Sequence, residues 1–217
     1  MDLDRLQRDV ERFFTSERVG VLVEAHRNAY DRAALHYSPE DGADAQLFGF
    51  TNYKYISKRL LKLPQRPELG FELRSAHPSL RLGLGPFTLG SYPCGSSGDQ
   101  DIEQSFPNND AGAPALADLN QLCLELDFSE AVPRALVLAH FGNPEHGLEA
   151  LYLAAPGSKE DGRISGWSWT RELWRWSGSD SAEPTPPRPD LPRPVRIEPA
   201  ALTLKIPAEQ TQATPDR

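Results

Sequence analysis

Two histidines, an asparagine and a glutamate fall within seven residues in His140-Phe-Gly-Asn-Pro-Glu-His146. Imidazole titrates near neutral pH, so a loop presenting His140 and His146 from a rigid support can supply a general base or a metal ligand, with Asn143 as a further contact. Asn-Pro and His-Gly are also ordinary turn chemistry, which accounts for the same residues without any reaction. Cys94-Gly-Ser-Ser-Gly98 is the second segment of interest. A cysteine nucleophile needs an imidazole beside it, and His140 is the natural partner to nominate. A glycine-rich loop can also cradle an anion with its backbone amides. The segment lacks the Gly-Lys-Ser/Thr ending of a phosphate loop and an Arg just beyond the Cys, so a surface loop is the plainer reading.

Asp99, Asp101, Glu103 and Asp110 open with calcium-loop spacing, but Gln104 stands where the turn glycine belongs and Asp110 where the bidentate Glu belongs. Neither this cluster nor the two cysteines, Cys94 and Cys123, completes a metal set or a disulfide framework. No cofactor is therefore expected. Lys54, Lys58 and Lys62 recur at i, i+4 and i+8 beside Arg59 and Arg66, with no acidic residue from Thr51 to Pro67. Such a ridge can contact nucleic-acid phosphates. It can equally face the stretch Asp99 to Glu130, which holds eight acidic residues and no Lys or Arg, and charge pairing of that kind needs no ligand. His26 and Tyr30 lie on a helical stripe expected to be buried, so a satisfied core histidine is the expectation there. Tryptophan serves burial first, and Trp167 and Trp169 are expected on one face at period two.

These residues need elements to hold them. Leu3, Leu6, Val10 and Phe13 mark a first helical face, and Thr15-Ser16-Glu17 offers the cap of a second helix running to the turn Ser38 to Gly42. A third helix is expected from Thr51 or Asn52 to Leu63, ended by Pro64 and Pro67. Alternation then takes over at Leu69, Phe71 and Leu73, at Leu80, Leu82 and Leu84, and after a Gly85-Pro86 turn at Phe87, Leu89 and Tyr92. Short connections make these strands antiparallel. Residues 93 to 114 read as loop, Leu116 to Leu126 as an amphipathic helix, and Ala135 to Phe141 as a central strand covered on both faces. Leu148 to Ala155 and Ile164 to Thr170 complete a meander.

The expected fold is thus α+β, with N-terminal helices packed on a mainly antiparallel sheet and a disordered Pro-rich C-terminal tail. Residues 1–176 form a single domain, helical over 1–66 and strand-rich over 67–176 with one helix near 115–127. From Ser177 onward nine prolines occur in 41 residues without an aromatic, a composition that cannot offset the entropy of ordering, so residues 177–217 read as the tail. Within it Leu202-Thr-Leu-Lys-Ile206 alternates like a strand, able to dock on the domain or on a partner's sheet edge.

A net charge of -8 argues against wholesale binding to nucleic acid or anionic membrane, and no apolar run is long enough to span a bilayer. The first residues lack the apolar block of a signal peptide and the two cysteines make no disulfide framework, so a cytoplasmic location is expected. Three readings follow. The first is a protein-binding or regulatory accessory module whose tail tethers or docks, so a protein partner is expected and a membrane is not. The second is a small hydrolase or nucleotide-acting enzyme using His140, His146 and Cys94. The third is a nucleic-acid-binding accessory using Lys54, Lys58, Arg59 and Lys62 on the helix 52–66.

Overall fold

Capping residues set the helices. Asp2 accepts from Arg5 N at 2.8 Å and starts α1 (Leu3–Phe13), and Thr15 starts α2 (Ser16–Ala34) in the same way. The turn that follows closes on Gly42 in the left-handed region, as the Pro-to-Gly pattern requires. The third helix, α3 (Ala45–Leu60), begins well before the expected Thr51 or Asn52. Asp44 caps it by accepting from Leu47 N at 2.8 Å, and Phe48 in its first turns is already buried. Two short 3-10 turns around Pro64 and Pro67 then lead into the sheet.

The computed structural model describes residues 2–77, 79–107, 112–125 and 134–177, all within a compact unit spanning Met1–Ser179. The tail and its segment Leu202 to Ile206 lie outside the described residues. Six strands form a single sheet in sequence order: β1 (Phe71–Ser75), β2 (Arg81–Leu84), β3 (Phe87–Gly95), then α4 (Gly112–Glu125), β4 (Ala135–Asn143), β5 (Gly147–Glu160) and β6 (Arg163–Arg175). Every pairing is antiparallel except β3 with β4, which are parallel because the chain returns through α4. The fold is α+β with a mainly antiparallel sheet, as its pattern implied. The stretch expected to be loop from residue 93 instead continues β3 to Gly95, where parallel pairing with β4 holds it.

Gly85 shows how tightly the first hairpin is made. It takes φ 55° at the start of the two-residue turn between Leu84 and Phe87, and a Cβ there would overlap the Phe13 ring.

Side-chain alternation along the strands builds two cores. On one face Leu136, Leu138, Leu151 and Leu153 meet α1, α2 and α3. On the other Val137, Ala139, Phe141 and Tyr152 meet Ala113, Leu116 and Ala117 of α4. Strand β4 is accordingly buried on both faces, the reason its sequence is almost unbroken apolar. Asn120 pins α4 in place: its Nδ2 donates to Ala135 O at 3.0 Å and Pro156 O at 3.2 Å, while its Oδ1 accepts from Arg134 N and Ala135 N.

Trp167 and Trp169 do not share a face. Ala155 pairs with Trp169 but Pro156 with Trp167, so Ser168 is an extra residue in β6. This bulge sends Trp169 to the three-helix side and Trp167 to the α4 side, where its Nε1 donates to Ile102 O and Ser105 O.

Candidate functional site

His140 and His146 flank the end of β4 but occupy opposite environments. His140 follows Leu136 and Leu138 onto the face covered by α2, and only 3% of its surface is exposed. Its Nδ1 lies 2.8 Å from Tyr30 Oη, and its ring centre lies 5.4 Å from that of His26. His26 Nδ1 contacts Leu22 O at 2.7 Å and Nε2 contacts Ser91 Oγ at 2.9 Å. A carbonyl can only accept, so Nδ1 carries the His26 proton and Nε2 accepts from the Ser91 hydroxyl. Burial disfavours the charged imidazolium and lowers the His26 pKa to about 4. Burial, and secondarily the neighbouring His26, hold His140 well below its ordinary value as well. Burial raises the Tyr30 phenol in turn. All three groups are neutral at pH 7, and the crevice reaching His140 between α3 and the β1–β2 connection has a volume of about 10 Å³, enough for a single water.

Cys94 does not meet His140. It faces the α4 side with Tyr92 and Phe141, whereas His140 faces α2. The pairing nominated from sequence is therefore not formed. Burial also pushes the Cys94 thiol up, away from the reactive thiolate.

At the other end of the loop, His146 stands in the open at the carboxyl ends of the parallel pair β3 and β4. Its side chain is 52% exposed, and its Nδ1 lies 3.2 Å from Oε1 of the buried Glu149. Glu149 is the hub of this corner. It accepts from Asn143 Nδ2 at 2.6 Å, from Gly98 N at 2.8 Å and from Ser97 Oγ at 3.4 Å. Asn143 Oδ1 accepts from Glu145 N and His146 N, which closes the turn, and the His146 ring stacks on Trp176. The Cys94 to Gly98 segment is tied to the same corner: Gln100 Oε1 accepts from Ser96 N and Ser97 N, an approach open because residue 95 has no Cβ. Those amides and that of Gly98 are thereby engaged by side chains, so the loop does not offer the anion cradle its glycines suggested. With Nδ1 held by a carboxylate, His146 can present Nε2 to solvent as an oriented proton acceptor.

The basic helix faces outward. Phe48, Asn52, Ile56 and Leu60 of α3 are buried, leaving Leu47, Phe50, Lys54, Lys58 and Leu61 on the opposite side of the wheel. Leu47 is 50% exposed, Phe50 55% and Leu61 37%, an unusual load of apolar surface for a solvent face. Lys54 Nζ sits 4.3 Å from the Phe50 ring centre, and Lys58 and Lys62 are exposed. Arg59 turns inward and acts on Asp31.

The chain matches no protein-family model, no curated protein and no solved structure.

Geometry alone therefore carries the functional reading. It brings His146 and Asn143 together with the Cys94 to Gly98 loop, and leaves His140 and Cys94 in separate cores. Among the described residues no group of three or more His, Cys, Asp or Glu could hold a metal ion, and no helix is long and apolar enough to cross a membrane. The residue that sequence reasoning passed over is Glu149. Its signal was a lone carboxylate inside the apolar run Leu148 to Ala155, an arrangement that costs stability unless partners await it.

Proposed function

We propose that this protein is a protein-binding module whose contact surface is the outward face of α3, and that the segment it takes is acidic and amphipathic. The observation carrying this reading is the coincidence of Leu47, Phe50 and the capping Leu61 with Lys54 and Lys58 on one exposed helix face, with the exposed Lys62 just beyond its end. Apolar anchors ringed by charge are the anatomy of a protein interface. Aliphatic side chains contribute little to phosphate contacts, which favours a protein over a nucleic acid as the occupant. An acidic partner suits the lysines, and a partner helix would lay its apolar stripe over Phe50.

A photo-crosslinking residue at position 50 tests this in cells, followed by calorimetry with a synthetic peptide of the crosslinked segment. The expected segment is acidic and amphipathic, and Phe50→Ala and Lys58→Glu each weaken its binding by about tenfold or more. Crosslinks to RNA or lipid, or peptide binding indifferent to both substitutions, would refute the proposal.

A second reading, a small hydrolase, rests on the separate contact between His146 and Glu149. In it His146 Nε2 takes a proton from a water that attacks an ester or phosphoester. The C–O or P–O bond to the leaving group breaks, the imidazolium returns the proton to the departing oxygen, and Glu149 keeps the imidazole oriented. Hydrolysis of p-nitrophenyl esters or phosphates that is lost in His146→Gln supports it. Turnover that is absent, or equal in that variant, removes it.

A further inference from the structure

A cleft of about 630 Å³ runs between α2 and β6, within the range of small-molecule sites. Val19 and Val23 line one wall, Leu173 and Trp174 the other, and Arg27 and Arg171 bring charge to it. Arg171 pairs in register with Leu153, whose side chain belongs to the three-helix core, so the guanidinium enters from the strand beneath α2. Its Nη1 is wholly buried and has no hydrogen-bond acceptor; among the described residues the Asn52 Oδ1 is the other side-chain atom in that condition.

A buried guanidinium donor without an acceptor is costly, because water no longer solvates it and nothing replaces the water. Native chains seldom keep such a group without a use for it. The carboxylates along the rim are already engaged. Glu24 accepts from Asn28 Nδ2 at 3.5 Å, and burial raises the Asp31 carboxyl above its ordinary range although the charges of Arg27 and Arg59 pull it down. Arg27 itself lies over the Trp174 ring at 5.4 Å. The rim carboxylates thus already face cations or an amide, whereas the Arg171 Nη1 has no acceptor. Arg171 lines the cleft together with Trp174, so a donor without an acceptor and an aromatic ring stand at the same site.

We propose that the cleft between α2 and β6 binds a small organic oxyanion, with its carboxylate or phosphate on Arg171 and its apolar body alongside Trp174. The fork of the guanidinium suits either group, and the volume admits a body of one or two rings. This site lies on β6 and is independent of the outward face of α3.

Thermal unfolding and tryptophan fluorescence, with benzoate, adenosine monophosphate and inorganic phosphate as probes, decide the matter. Benzoate or the nucleotide is expected to raise the unfolding midpoint and quench emission saturably, and whichever acts alone identifies the carboxylate or the phosphate as the preferred group. Arg171→Met is expected to weaken that response at least about tenfold and, by removing a buried donor that lacks an acceptor, to raise the midpoint of the ligand-free protein. Arg171→Lys keeps the charge without the fork and is expected to fall between. Three outcomes overturn the proposal: a lower ligand-free midpoint in Arg171→Met, which would make the residue a fold element; probe responses that survive in that variant; or no response to either organic probe up to about 10 mM, an affinity too weak to serve.

Discussion

His140, inside β4, and His146, in the turn that follows it, carry the same side chain in opposite roles. His140 is sealed between β4 and α2, neutral, with Tyr30 on one nitrogen and His26 beside it. His146 stands in solvent with a buried carboxylate behind it. Burial without a counter-charge makes an imidazole part of the wall; exposure with a counter-charge makes it available for proton transfer. Both were expected in one loop, so what separates them is that β4 extends past His140 and turns it onto the face beneath α2, whereas His146 stays in the turn.

That contrast can be broken by experiment, beginning with the buried side. His26→Ala empties a core position and strands the Ser91 hydroxyl, and is expected to cost about 3 kcal/mol in urea unfolding. A loss below about 1 kcal/mol would show that the pair is not part of the wall. The pH dependence should be nearly as large. An unfolded histidine takes up its proton near pH 6.5, whereas His26 in the folded chain resists until about pH 4. Above pH 6.5 neither state binds that proton and stability is whole. Between about 6.5 and 4 the unfolded chain alone binds it, so stability falls as pH falls, by about 3 kcal/mol at full extent. His140, lowered for the same reason, adds a loss of the same sign. Urea midpoints across this interval should decline, and less steeply in His26→Gln; equal slopes would contradict the assignment. Tyr30→Phe leaves the His140 Nδ1 without its partner and should cost about 1–3 kcal/mol in the same measurement. On the exposed side, Glu149→Gln should cost about 1–2 kcal/mol through loss of a charged acceptor at Gly98 and Asn143. His146→Ala is expected to stay within about 0.5 kcal/mol of the parent, and a larger loss would move His146 into the structural class.

Much of the scaffold could be read before any coordinates. Asp2 and Thr15 announce helices by local chemistry, and the apolar run of β4 announces a strand with both faces covered. Asp44 is as good a cap as either, but Gly42 and Gly49 around it masked the periodicity, and α3 was expected too late. The parallel pairing of β3 with β4 depends on where α4 packs, a long-range matter that no local pattern contains. Register is likewise non-local: with Cys94 assigned to a loop, nothing could tell that it faces away from His140. The ridge of Lys54, Lys58 and Lys62 was visible as charge alone, because the exposure of Leu47 and Phe50 appears only once Phe48 and Ile56 are known to point inward.

The extra residue at Ser168 has a consequence for how the chain tolerates change in length. Removing one residue from a regular strand turns everything beyond the cut onto the wrong side. Removing Ser168 would do the reverse: Trp167 and Trp169 would become adjacent, and adjacent strand residues point to opposite sides of their own accord. Each ring would keep its present neighbours across an uninterrupted ladder with Ala155 and Pro156. In β6, then, this is one position where a codon can be dropped without turning the strand over.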